Sequence, residues 1–78
     1  MQVDAINIDP EILSGTPVFK GTRVAVKTLF DYIGTGESLK DFLQDFPSVQ
    51  EKQALDVLQF AGRVVVSEKI LLDENSAR

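Results

Sequence analysis

Seventy-eight residues make one small domain, a size at which a chain buries a modest share of its surface and a second subunit or partner often supplies the missing stability. Without a single Cys or His, the chain has no disulfide, no thiolate or imidazole chemistry and none of the usual zinc ligands, so carboxylates are the remaining catalytic candidates. The net charge of −4 opposes non-specific attraction to nucleic acid, while the 44% hydrophobic and 26% charged composition is that of a globular chain.

In chain order, Met1 to Pro10 lacks the basic region and apolar core of a signal peptide. No apolar run approaches the ~20 residues of a membrane span, so the expectation is a cytoplasmic protein without a membrane contact. Ile6-Asn7-Ile8 and Pro17 to Val26 are short apolar pieces broken by Gly and Pro, which predicts short strands and turns. Lys20-Gly21-Thr22-Arg23 reads as a turn with Val18 and Val24 on its arms, a hairpin too small to stand without helices to rest on. From Ile12 to Phe30 there is no acid, yet Lys20, Arg23 and Lys27 fall there, which makes a local positive island.

From Val26 the period becomes helical. Val26, Leu29, Phe30 and Ile33 form the buried stripe expected of a first helix, ended by Gly34 and Gly36. Ser38 with Asp41 three residues on is a variant capping box opening a second helix, whose stripe is Leu39, Phe42, Leu43 and Phe46 and which Pro47 stops. Ala54, Val57, Leu58 and Ala61 predict a third helix after a short turn. The expected fold is therefore mainly α: a three-helix bundle of helix-turn-helix type with a short N-terminal β-arm. As one domain over 1–78, it has its β-arm at about 6–25, its helical core at about 26–61 and a C-terminal segment at 62–78. Gly62 is a candidate terminator of the third helix. Beyond it, the β-branched run Val64-Val65-Val66 favours a strand, whereas the helical spacing of Leu58, Ala61, Val65 and Leu72 favours a continued helix; the tail from Asp73 to Arg78 is expected to be loose.

Three stretches carry candidate function. The basic arm, Lys20, Thr22, Arg23 and Lys27, could meet phosphates or a partner's carboxylates, Arg23 bidentately. The competing reading holds Arg23 against backbone carbonyls or Asp9, keeps Thr22 for the turn, and leaves Lys20 and Lys27 as solvated charges. In a helix-turn-helix the start of the second helix faces the major groove, which nominates Gln50, Lys52, Gln53 and Asp56, with Gln53 suited to adenine. Glu51 and Asp56, with Asp41 and Asp45 on the second helix, would repel the backbone, so a structural bundle is favoured over base reading. The apolar C-terminal run, Val64, Val65, Val66, Ile70, Leu71 and Leu72, with Arg63 beside it, exceeds what three short helices readily cover and nominates a partner or dimer interface.

Two motifs are set aside. Gly15 to Thr22 is not a phosphate-binding loop, because its Lys precedes the Gly and it does not open a helix in a βαβ unit. Ile70-Leu71-Leu72-Asp73-Glu74-Asn75 looks like the first strand of PIN-like nucleases, but one carboxylate pair cannot assemble a metal cluster. No catalytic residue, metal ligand or cofactor is assigned.

The string Asp9-Pro10-Glu11-Ile12-Leu13-Ser14-Gly15-Thr16-Pro17-Val18-Phe19-Lys20-Gly21-Thr22-Arg23-Val24, followed by Gly36-Glu37-Ser38, Phe46-Pro47 and Ala54-Leu55, resembles the family of domains of unknown function numbered 433, over about residues 6 to 61. That resemblance implies a homeodomain-like or winged-helix-like three-helix fold with a β-arm. It also implies kinship with antitoxins of the VapBC type, often encoded beside a PIN-like nuclease. Ala25 stands where relatives commonly have Pro. Gln50 stands where a Thr or Ser commonly caps the third helix, which is expected to weaken that cap. The function expected on this basis is an antitoxin-like protein that inhibits a PIN-like ribonuclease toxin. The alternatives are a DNA-binding helix-turn-helix autoregulator and a self-associating scaffold, and a homodimer or higher oligomer is expected in each.

Overall fold

The hydrophobic periodicity is realised as three helices and a minimal sheet in the computed structural model, which describes residues 4–67. The elements are β1 (Ile6–Asn7), β2 (Val18–Phe19), α1 (Val26–Gly34), α2 (Leu39–Asp45) and α3 (Glu51–Val65). Mainly helical, with a short antiparallel arm at its start, the molecule has the architecture that the periodicity predicts.

The arm is held from both sides of β2. Ile6 pairs with Phe19 and Asn7 with Val18 across the antiparallel sheet, and Val18 also bridges Ala25 on the far side. Between Phe19 and Val24 the chain reverses in a turn that Thr22 organises. Its hydroxyl donates to Phe19 O at 2.7 Å and accepts from Val24 N at 3.0 Å. Gly21 takes the positive φ of 80° that the reversal needs and that side-chain-bearing residues avoid. Such short strands have no stability alone; here Val18 and Phe19 are fully buried, so the arm is anchored by its side chains.

Between β1 and β2, Leu13 and Ser14 occupy the left-handed region at φ 48° and 56°, followed by Gly15 at 86°. The turn closes through Gly15 N donating to Ile12 O and Thr16 N donating to Leu13 O, each at 3.1 Å. Neither Leu nor Ser favours that region, so of the three left-handed residues Gly15 alone is one that the sequence announces.

Aromatic residues make the centre. Phe42 on α2 lies against Phe19, Tyr32 and Phe46, with ring centroids 5.9, 5.5 and 5.2 Å away. Leu29 on α1 and Ala54 and Val57 on α3 close the core around them. The buried face of α1 differs from expectation. Val26 and Leu29 are buried, but Phe30 and Ile33 are exposed, and Tyr32 takes the place next to the core. Tyr32 is chosen because it satisfies both environments: its ring packs edge-on against Phe42 and Phe46, and its hydroxyl donates to Asp45 Oδ2 at 2.6 Å.

The helix boundaries follow the capping chemistry. At α2, Ser38 Oγ accepts from Asp41 N at 3.0 Å while Asp41 Oδ2 accepts from Ser38 N at 3.3 Å, completing the predicted box. Phe46 closes α2 ahead of Pro47. Gly62 does not end α3; the helix passes through it to Val65, because a glycine without a positive φ only weakens a helix. Residues 63–65 are therefore helical, whereas Ile70, Leu71 and Leu72 lie outside the described residues. No described helix is long and apolar enough to cross a membrane.

These contacts fix a pH response at both ends of the scale. Hydrogen bonding to Asp45 raises the Tyr32 pKa, with burial and nearby carboxylates adding to it. A group whose pKa rises on folding stabilises the fold fully below its unfolded value, and that contribution is lost as pH climbs through the raised one. The hydrogen bond from Ser38 N, then that from its hydroxyl, holds the Asp41 carboxyl below its usual value, so its contribution is present above that usual value and lost as pH falls through the lowered one. Thermal melts across pH should show Tyr32→Phe flattening the alkaline limb and Asp41→Asn flattening the acid limb. Limbs unchanged in both variants would mean that neither bond persists in solution.

Candidate functional site

The turn of the β-arm and the start of α3 meet at one open cleft. About 300 Å³ in volume, it is lined by Asp4, Ala5, Lys20, Gln50, Lys52, Gln53 and Asp56. Two groups of residues far apart in the chain, one from the arm and one from the proposed recognition helix, are thereby brought together. The fastening is Gln53. Its Nε2 donates to Lys20 O at 2.9 Å, and its Oε1 accepts from Gln50 N at 2.9 Å.

The second of those bonds answers the weak cap expected at Gln50. Gln50 has the extended backbone of an N-cap, and the return bond from Gln53 satisfies its amide, as the third residue does in a capping box. One side chain thus starts α3 and ties the arm to it. Removing that side chain in Gln53→Ala should cost about 1 kcal/mol. Urea melts would check this, and hydrogen exchange should report faster opening of the arm's turn than of α2. Equal protection in variant and parent would remove the fastening role.

Charge at the cleft is mixed. Lys52 Nζ bonds Asp56 Oδ2 at 2.9 Å along the helix, and that hydrogen bond, followed by the carboxylate's charge, raises the Lys52 pKa. Lys52 is largely in water and Asp56 partly so, and the pair therefore adds little stability and mainly cancels charge. Lys27 is likewise paired, its Nζ 2.8 Å from Asp31 Oδ2. Lys20 and Arg23 are exposed and make no side-chain hydrogen bond or ion pair among the described residues, and Arg23 does not engage Asp9. Of the basic arm, then, Thr22 belongs to the turn, Lys27 to α1, and Lys20 and Arg23 remain presented to solvent.

The second candidate surface is the distal end of α3. Ala54 and Val57 are buried and Leu58 and Ala61 partly so, but the helix then leaves the core, and Val64, Val65 and Val66 are 39, 65 and 72% exposed. Arg63, also exposed, is the one charge in that last turn. Among the described residues, no three carboxylates are grouped as a metal site.

A small helical bundle with a β-arm, carrying a polar cleft at one end of α3 and an apolar surface at the other, is the class these features define. The chain belongs to the family described as protein of unknown function DUF433, whose model matches residues 6–61. A similar protein is the uncharacterized protein y4eO of Sinorhizobium fredii (strain NBRC 101917 / NGR234), 34% identical over 50 residues that make up 64% of this chain and 23% of that one. The chain thus spans under a quarter of that relative's length. Among solved structures, that of a DUF433 member protein from Anabaena variabilis ATCC 29413, at 2.00 Å resolution, superposes with a TM-score of 0.67 at 21% identity, covering 96% of this chain and 70% of the other. At that identity the likeness is one of fold. The match to the family model ends at Ala61, ahead of Val64, Val65 and Val66.

Proposed function

We propose that this chain is a binding protein of the antitoxin type, without catalysis of its own, that docks on a PIN-like ribonuclease through the distal end of α3. The observation that carries this reading is the exposure of Val64 and Val65 in the last turn of α3 and of Val66 at its C-cap. An apolar run in water is unfavourable by roughly 25 cal/mol per Å² relative to a buried one, and docking on a protein recovers that free energy. Arg63 beside it suits a partner whose metal site is acidic, because a guanidinium forks onto carboxylates. The lack of any His or Cys fits a role in binding rather than turnover.

The test is co-expression with a PIN-like nuclease from the same organism. The two chains should co-purify in equal amounts, with ribonuclease activity suppressed until they are separated. Full activity in the mixture, with no complex on a sizing column, would overturn the reading.

A second reading, DNA binding by the α2–α3 pair, has one observation in its favour: Lys20 and Lys52 line the same cleft at the start of α3, and Arg23 is free among the described residues. Against it, Gln53 is already committed at both ends of its carboxamide and Lys52 is neutralised by Asp56. If DNA is the ligand, affinity falls steeply with salt and drops further in Lys20→Ala and Arg23→Ala. A salt-independent signal, unchanged in both variants, rejects it.

A further inference from the structure

α3 carries a second apolar line that the core uses only in part, at Leu58. Leu55, Leu58, Gly62 and Val65 recur at intervals of three, four and three residues, the spacing of a seam between two helices, and the line runs beside the core residues Ala54 and Val57, sharing only the partly buried Leu58 with the core. Leu55 is 40% and Val65 65% exposed, although both stand on a well-formed helix.

Gly62 sits in the middle of that line and is unexplained by the monomer. Its φ is not positive, and a Cβ built on it would meet nothing within 4 Å. A glycine in such a place weakens the helix without relieving any clash inside the chain. What a missing Cβ does permit is the close approach of another side chain or backbone from outside.

We propose that this line is the contact face between two copies of the chain, crossing as an antiparallel pair of α3 helices about a two-fold axis between Leu58 and Gly62. The pattern is complementary to itself in that arrangement. Leu55 of one copy lies opposite Val65 of the other, and Leu58 opposite Gly62, so each large side chain meets a smaller one and the helix axes stay evenly spaced. A parallel pair would set Gly62 against Gly62 and Leu58 against Leu58, leaving a void beside a bulge. An isologous contact of this kind uses one patch twice, as closed two-fold dimers require.

Charge favours a second copy here and disfavours it elsewhere. The chain carries 12 acids against 8 bases, so most pairings of two copies bring like charges together. From Val57 to Ser67 there is no acid, and Arg63 is the single charge. The other acid-free stretch, Ile12 to Phe30, carries Lys20, Arg23 and Lys27, so two copies meeting there would set bases against bases, whereas here a single charge stands at the edge of an apolar face. The pairing does not rest on the nuclease reading, and it leaves the cleft at the start of α3 free. Val65 belongs to both surfaces, so a nuclease covering the whole distal end would displace the second copy.

The experiment is sedimentation velocity of the full chain over a concentration series, with Gly62→Glu and Val65→Glu. Because nothing in the monomer meets a Cβ at position 62, Gly62→Glu should keep the parent's helical circular dichroism, with α3 strengthened rather than strained by the loss of glycine, while losing the dimer. The parent should be a concentration-dependent dimer, and both variants monomers. The chain has no native Cys, so the register is read by oxidative cross-linking: Leu55→Cys mixed with Val65→Cys should cross-link, and Leu55→Cys alone should not. A parent monomeric at every concentration, a dimer that survives both glutamates, or Leu55→Cys cross-linking to itself would each overturn the proposal.

Discussion

Replacing Phe42 with alanine is expected to remove about 3–5 kcal/mol of stability, the most that any single truncation in this domain should cost. The side chain is fully buried and its ring touches those of Phe19 from the arm, Tyr32 from α1 and Phe46 from the end of α2. Those contacts join three elements around one ring, so the cavity left behind cannot close without moving one of them. At roughly 0.05–0.15 kcal/mol per residue, a domain of this size holds about 4–12 kcal/mol in all. The variant should therefore be partly unfolded at growth temperature, with its aromatic near-ultraviolet signal lost before its helical signal. Phe42→Leu separates volume from aromatic geometry and should retain most of the stability. A Phe42→Ala protein that melts within a few degrees of the parent would show that the aromatic cluster is not the centre of the fold.

The parts of this fold that the sequence announces are those set by local chemistry. The box at Ser38 and Asp41, the glycine of the turn at Gly21 and the stop before Pro47 are each decided within a few residues, and each stands where spacing places it. Which face of α1 is buried is a different kind of question. Phe30 and Ile33 are more apolar than Tyr32, and a helical stripe through them is as regular as one through Tyr32. The choice falls to Tyr32 because Asp45, on another helix, accepts its hydroxyl, a fact that periodicity does not contain. The left-handed turn at Leu13 and Ser14 is hidden for the opposite reason: its cause is the path of the chain between two paired strands, and neither residue type signals it.

The candidate site shows the same division. Thr22 was legible as a turn residue, whereas Gln53, nominated for reading a base, proves to be the fastener between arm and helix. Its two partners are the amide of Gln50, a local contact that a glutamine three residues past a cap foreshadows, and the carbonyl of Lys20, a long-range one that only the fold supplies. The course of α3 through Gly62 was undecided in the sequence because strand and helix propensities conflict over Val64 to Val66. The helix prevails there, since its earlier turns are already nucleated by Ala54 and Val57 in the core and each further residue adds a hydrogen bond at little extra cost.

The double variant Val64→Ser, Val66→Ser should weaken capture of the nuclease by about tenfold or more while leaving the domain folded. Fully burying a valine is worth roughly 1.5–3 kcal/mol, and half of that range at each of two positions already exceeds the 1.4 kcal/mol that makes a factor of ten. Both residues stand at the end of α3, where Val66 is 72% exposed and follows the last helical turn, so the loss to the fold itself should be small. Neither belongs to the line Leu55, Leu58, Gly62 and Val65, which lets the two surfaces be tested apart. Titration of labelled nuclease should show the drop in affinity, and sedimentation of the same variant should show the parent's self-association. Undiminished capture by this variant would place the nuclease elsewhere, and the exposed Lys20 and Arg23 of the arm would then be the next surface to substitute. Capture lost together with the dimer would instead mean that the nuclease recognises the paired helices rather than the end of either one.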